Sequence, residues 1–579
     1  MFNAGATDGD RLRRWTRRQQ RPTLVWYSAY PQLTLPRIRT NAAIRQGITG
    51  AVTEAAAKDW LACFGSTPRP TDLLDVPQIP TLIFGGLRRL TYSVSLFIRL
   101  SPDRDRNKTW LASLEPEISY GDHLTADSAL LLGLSRTGLE RLGLEPRHIE
   151  TFPVPFQHGS AATWRARAVG DIGSNSPEHW LWGSDEAPVD AVMLIYARDE
   201  GRFAQLVSAR IAAAQAAGHT VVYQVRLAPN PPRGQQIVEP FGFADGVSDP
   251  VIRGVGKWSS AENRNHLVAP GEFVMGYPDN LGYVPSSPSV AAGDDPRDIL
   301  RAATPDPAES RPDFSTPQPT GRKDLGINGS YLVVRHLEQD VAGFNEFLAM
   351  AARQPAVSAA ASRDVPTEQW LAAKMVGRWH DGTSLVRNPD RPGSRRAAPG
   401  DPPTPDNDFL FGVEDPSGLR CPFGAHVRRA NPRESFTPVS PDPALDFLAR
   451  QAGADPYADL SPTAQLELSI TNRHRILRVG RHYEPQGALT KPGLIFLCLN
   501  VDIERQFEFV QKTWLCGPSF AGLEREVDPV LGQRTESDVL TIPTPRGPVR
   551  VTGLKDFVTV KGSGYFFLPG KSAFRFLCH

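Results

Sequence analysis

Apolar and polar residues alternate along Thr81 to Leu100 (TLIFGGLRRLTYSVSLFIRL), a period-two pattern rich in β-branched and aromatic side chains that predicts a strand. Ala126 to Leu144 reads as a second apolar strand followed by a short helix that starts at Ser135 and stops at Gly143. Asp190 to Tyr196 (DAVMLIY) predicts a third strand. Gly201 to Gly218 is an Ala-rich amphipathic helix with Gly218 as its stop, and His219 to Leu227 is again a strand. The second half repeats the theme. Gly329 to Arg335 predicts a strand and Gln339 to Ala352 a helix with Phe344, Phe347 and Leu348 on one face. Leu494 to Asn500 reads as a buried strand, Ile503 to Trp514 as a helix and Gly564 to Leu568 as a last strand. Strands and helices in this order, with connections that allow antiparallel pairing, predict an α+β fold rather than a doubly wound sheet.

Length sharpens this picture. The chain's 579 residues allow two to four domains. Residues 1–76 form an N-terminal arm, partly helical between Ala42 and Cys63. Residues 77–235 and 236–579 form two lobes of similar element order, and the second carries Pro-, Asp- and Arg-rich inserts at 285–326 and 388–408 that predict long surface loops.

Charge narrows the partners. Lys and Arg number 64 against 63 Asp and Glu, a balance that disfavours nucleic acid and membrane surfaces, both of which call for one-sided charge. Cys63, Cys421, Cys498, Cys516 and Cys578 are few, scattered and without a CxxC pair, which disfavours a disulfide framework or a cysteine-bound metal. No apolar stretch is long enough to span a bilayer. The arginine-rich start lacks the apolar core of an export signal. A cytoplasmic location is therefore expected. No cargo-like tail follows Phe567, so packaging into a protein shell is not expected.

Three segments carry candidate chemistry. In Glu239-Pro-Phe-Gly-Phe-Ala-Asp-Gly-Val-Ser-Asp-Pro, Gly242 and Gly246 bracket Asp245 in an apolar turn. A partly desolvated carboxylate there suits proton transfer, whereas an ordinary side-chain-capped turn is the bland reading. In Cys421-Pro-Phe-Gly-Ala-His-Val-Arg-Arg-Ala-Asn-Pro-Arg, His426 precedes Arg428, Arg429 and Arg433. An imidazole beside guanidinium groups suits a metal inside an anionic macrocycle, and a core histidine with a solvated basic face is the alternative. In the basic strand from Asn472 to Pro485, Arg478 lies between Leu477 and Val479 and either points inward or belongs to an exposed basic face. Phe496 to Phe509 reads as core. No GxSxG, P-loop or HExxH signature is present.

Taken in order, these segments resemble the dye-decolourising peroxidases, specifically the longer-chain members of that family. The resemblance rests on Gly242-Phe-Ala-Asp245-Gly246, CPFGAHVRRANPR, ILRVG, GEFVMGY, NGSYLVVRHLEQD, AAKMVGRW and DIERQFEFVQKTW, and spans about Val76 to Leu577. The gap from His426 to Arg478 is long. The resemblance implies two ferredoxin-like α+β lobes with antiparallel sheets and one haem b per chain, held mainly by the C-terminal lobe.

On that basis His426 is the expected iron ligand, with Asp245 and Arg478 on the side where peroxide binds. Leu494, Phe496 and Gly246 would shape the cofactor pocket, and Arg429 would meet a haem propionate. Glu524, or as second choice Asp528, would partner the far nitrogen of His426. The implied activity is a hydrogen-peroxide-dependent haem peroxidase oxidising bulky organic donors such as dyes and phenolics by way of a ferryl intermediate. Its partners would be peroxide and an organic reductant. A haem-binding or iron-releasing module with only secondary turnover is the alternative function. Trp379 and Tyr483 are two of several aromatic residues that could relay electrons to the surface.

Overall fold

The structure is a computed structural model. It describes residues 74–579 except 122–125, 233–234, 256–265, 283, 304–320, 394–406, 408, 436–461 and 535–537, and gives the backbone alone for 462–466. The described residues belong to one unit, 64–306 with 317–579, while a second unit of 1–63 with 307–316 lies outside them. The helix expected between Ala42 and Cys63 falls among the undescribed residues.

The fold is α+β, built on a nine-stranded sheet paired antiparallel throughout. Its strands are β1 (Tyr92–Arg99), β2 (Ser128–Leu134), β3 (Ala191–Ala197), β4 (Thr220–Leu227), β5 (Ser330–Gln339), β6 (Leu477–Arg478), β7 (Arg481–Tyr483), β8 (Gly493–Asn500) and β9 (Val558–Leu568). The spatial order is β6–β8–β5–β9–β2–β3–β1–β4, with β7 also paired to β8. With β6 and β7, which both pair with β8, counted as one strand, the order within each half is second, third, first, fourth. The halves join at β9 and β2, where Phe567 pairs with Leu134. The outer ends also meet, since the Ala228 N–H donates to the His482 carbonyl at 2.9 Å.

Both faces of the sheet are covered, and this explains the unbroken apolar run of β3. Ala191, Met193, Ile195 and Ala197 enter one apolar cluster, while Val192, Leu194 and Tyr196 enter the other. Each large apolar side chain so buried contributes roughly 1.5–3 kcal/mol. The helices that follow β1, β3 and β5 begin at aspartates. Asp103 accepts from the Asp105 and Arg106 N–H groups ahead of Arg104–Leu114, Asp199 from Arg202 ahead of Glu200–Ala216, and Asp340 from Gly343 ahead of Val341–Ala351. Each such cap is worth about 1 kcal/mol.

Two expectations change. The strand expected from Thr81 is confined to Tyr92–Arg99, because Thr81–Phe84 forms a 3-10 turn and the chain then turns at Gly85 (φ 143°) and Leu87 (φ 52°). The helix expected from Ile503 is wound as π-helix over Glu504–Glu508 and Val510–Leu515. Gln506 fastens its start. Its side-chain oxygen accepts from the Val501 and Asp502 N–H groups, and its amide donates to the Glu272 and Arg475 carbonyls. Within the first insert, Ser289–Ala291 pairs antiparallel with Arg322–Asp324. The four described cysteines are free thiols.

Candidate functional site

The Asp245 turn is shaped by Glu239, whose carboxylate accepts from the Phe241 and Phe243 N–H groups at 3.0 and 2.9 Å and from the Gln339 amide at 2.8 Å. Burial pushes the Glu239 carboxyl up, against these hydrogen bonds. The Asp245 N–H donates to Ile237, while the half-buried side chain accepts from the Gly246 N–H at 2.6 Å. Gly246 has φ 67°, in the left-handed region that glycine enters without penalty. Phe241 and Phe243 plant the turn in an apolar cluster that also holds Trp379, Cys421 and Ala425, with Leu494 and Phe496 packed against it.

A cavity opens beside this turn. Counting its open mouth it encloses about 710 Å³, and Asp245, Gly246, Arg478, Leu494 and Phe496 are among its walls. Five residues singled out from three separate stretches of sequence thus line one space. Leu494 and Phe496 reach it because β8 alternates, sending Ile495 and Leu497 into the opposite cluster. Arg478, at the end of β6, is held by Asp249 at 3.2 Å. Asp249 escaped the sequence reading, although it lies four residues after Asp245 in the same motif.

His426 opens the short helix His426–Ala430 and is not among the residues that line the cavity. Its Nδ1 lies 2.9 Å from Oδ2 of Asp528. Asp528 is fully buried, and its other oxygen accepts from the Val530 and Leu531 N–H groups at 2.8 and 2.7 Å. Burial would raise this carboxyl, but the charge and hydrogen bond of His426, the Leu531 N–H and the charge of Arg429 together hold it below its ordinary value. The carboxylate within reach of His426 is therefore Asp528 and not Glu524, which is exposed on the preceding loop. That loop turns at Arg525 (φ 60°) and sends Glu526 inward to the Thr541 N–H.

Arg429 departs from its expected role. Its guanidinium is buried and donates to the carbonyls of Trp514, Leu515, Gly517 and Glu526, with Phe520 beneath it. It fastens the backbone on the way to Asp528 and is not presented to a ligand carboxylate. A different set of cations gathers nearby in the fold. Arg433 is buried over Phe409 and donates to the Asn407 and Phe409 carbonyls. Burial and the positive charges of Arg378 and Arg475 push its guanidinium well down, and His266 is pushed down by burial and by Arg433, Arg475 and Arg378. Sequence order hid this cluster, because its four members come from four distant segments.

The donor set fits a haem better than a bare ion. Among the described residues no group of three or more His, Cys, Asp or Glu side chains could hold a metal. A single imidazole suffices where a macrocycle supplies the other ligands. With Nδ1 facing the Asp528 carboxylate, Nε2 of His426 is the nitrogen left to bind iron. The buried arginine cluster, like Arg429, is engaged with the protein, Arg433 with the Asn407 and Phe409 carbonyls, Arg378 with Gly382 and Asn407, and Arg475 with Ser248.

No family model matches the chain. Its curated relatives include the dye-decolorizing peroxidase msp1 of Mycetinis scorodonius, 26% identical over 466 residues that cover 77% of this chain and 76% of the relative. They also include a dye-decolorizing peroxidase of Exidia glandulosa, 26% identical with 80% of each chain covered. Among solved structures, a dye-decolorizing peroxidase complexed with 2,6-dimethoxyphenol matches the fold with a TM-score of 0.59, 23% identity and coverage of 86% of this chain and 98% of the other. The resemblance to this family is therefore borne out in sequence over most of the chain, and in fold.

Proposed function

We propose that the chain is a peroxidase of the dye-decolourising type, which reduces hydrogen peroxide and oxidises organic one-electron donors such as dyes and phenolics. The observation that carries the site assignment is the shared cavity of Asp245, Arg478, Leu494 and Phe496. The cofactor in this reading is one haem b per chain, with His426 as iron ligand. The lobes are ferredoxin-like, a reading supported by the same strand order in each half, and the C-terminal one carries the haem.

When bound, haem supplies the electrons that reduce peroxide and takes them back singly from the donors. The protein's part is proton and charge management. Asp245 accepts a proton from one peroxide oxygen and returns it to the other, which leaves as water. The Arg478 guanidinium stabilises the negative charge that develops as the O–O bond opens. Leu494 and Phe496 exclude water and so strengthen both effects. Asp528 keeps the Nδ1 proton of His426 in place and makes Nε2 a stronger donor.

The test is an ultraviolet–visible titration of the purified holoprotein with hydrogen peroxide. A haem spectrum that changes rapidly on adding peroxide, and returns on adding a phenolic donor, is expected. Protein that stays colourless after expression with ample haem removes the reading.

A further inference from the structure

The mouth of the cavity contains a cation to which the reading above gives no role. Arg88 belongs to the first half of the chain, on the turn between the 3-10 segment Thr81–Phe84 and β1, yet it lines the same cavity as Asp245 and Arg478. The turn is held from three directions. Arg481 of β7 donates to the Gly86 and Leu87 carbonyls at 3.2 and 2.8 Å, the Asn230 amide donates to the Arg88 carbonyl at 3.1 Å, and the Leu90 N–H donates back to Leu87 at 2.9 Å. The left-handed Leu87 then directs Arg88 onto the Asp245 turn, where a Cβ at Gly246 would collide with its guanidinium. Gly246 is required for its own φ, and the end of the Arg88 side chain lies over it.

The neighbouring charges are already engaged. Arg478 is paired with Asp249. Arg481 spends its donors on the Thr91, Gly86 and Leu87 carbonyls and the Ser93 hydroxyl. His482 is pushed toward its neutral form by burial. Arg88 is exposed, and among the described residues its guanidinium has neither a hydrogen bond nor an ion pair. Asp245 would otherwise repel an entering anion, and the adjacent guanidinium offsets that charge and offers a fork of donors.

We propose that Arg88 is a specificity-determining residue that makes this cavity prefer small anions and carboxylate-bearing donors over neutral ones. The inference rests on the haem peroxidase reading, because it concerns access to that site.

The experiment uses full-length holoprotein of the wild type and of Arg88→Leu, Arg88→Glu and Arg88→Lys. Azide serves as the anionic probe and imidazole, at a pH well above its own pKa, as the neutral one, each titrated through the haem absorbance at low salt, where exposed charges act most strongly. The expected result is about a tenfold rise in the azide Kd for Arg88→Leu, a larger rise for Arg88→Glu and little change for Arg88→Lys, with imidazole within about twofold throughout. Equal azide binding in all four proteins overturns the proposal. Parallel weakening of both ligands also overturns it, since Arg88 would then only hold the turn. Absence of a haem spectrum in the wild type overturns the peroxidase reading instead, and the proposal with it.

Discussion

His426 and Asp528, 102 residues apart in the chain, meet with Nδ1 and Oδ2 2.9 Å apart. The carboxylate is fully buried and kept ionised by two backbone N–H groups and the imidazole. This arrangement fixes which ring nitrogen is free and makes the pair a unit. His426→Ala is expected to lose bound haem. Asp528→Asn keeps the shape but weakens the acceptor, and should lower haem retention about 10- to 100-fold. Glu524→Gln should match the wild type. Haem transfer to an excess of a competing apoprotein measures all three, and an Asp528→Asn protein that holds haem as tightly as the wild type removes this role.

Asp245 and Arg478 line the same cavity, and the proposed function gives them different roles. Asp245→Asn and Arg478→Leu should both retain haem. Stopped-flow spectra should show peroxide activation slowed tenfold or more in at least one of them, each tenfold being about 1.4 kcal/mol of barrier. Wild-type rates in both would sink the proton-transfer assignment.

Arg335 on β5 pairs with Asp171 through two hydrogen bonds of 2.8 and 2.5 Å, and both side chains are almost wholly buried. Asp171→Asn leaves a guanidinium charge uncompensated in the interior and should cost about 3–5 kcal/mol. The double substitution Asp171→Leu with Arg335→Met removes both charges and should cost less. Urea unfolding of the three proteins checks this, and a double variant less stable than the single one contradicts it.

Stability should also fall on acidification. His336, edge-on to Tyr483, and His474, stacked on Phe509, are both pushed down to about 3, chiefly by burial. Their folded values lie below the unfolded value, so the native state refuses a proton that the unfolded chain accepts. The contribution of each is complete above about pH 6.5 and is lost as pH falls toward 3, at about 1.4 kcal/mol for each pH unit and histidine. The depressed carboxyl of Asp528 adds a loss of the same sign at the acid end. Urea midpoints measured at pH 7 and pH 5 should drop accordingly, and the drop should be smaller in His336→Phe. A midpoint that does not change between these pH values rules this out.

Most strands and the helices after β3 and β5 were legible in the sequence because hydrophobic periodicity is local physics, whereas the helix Arg104–Leu114 was not read. Ala191–Ala197 and Glu200–Ala216 fall within two residues of the pattern that predicts them. Asp245, His426 and Arg478 were legible as chemistry only together, because each segment alone reads equally as an ordinary turn, core histidine or basic strand and it is their ordered set that resembles a family. What the sequence alone could not determine were relations between distant segments. Whether Glu524 or Asp528 reaches His426 depended on how the loop turns at Arg525. Whether Arg429 met a ligand or the backbone depended on where the Trp514 to Gly517 carbonyls pointed. The π-winding at Glu504–Leu515 is accompanied by contacts of Gln506 with the distant Glu272 and Arg475 carbonyls, which no local pattern announces. Arg88 lay in a stretch that read as plain strand until the turn at Gly85 and Leu87 carried it to Gly246. Periodicity fixes which face of an element is buried, but only packing decides which element that face meets.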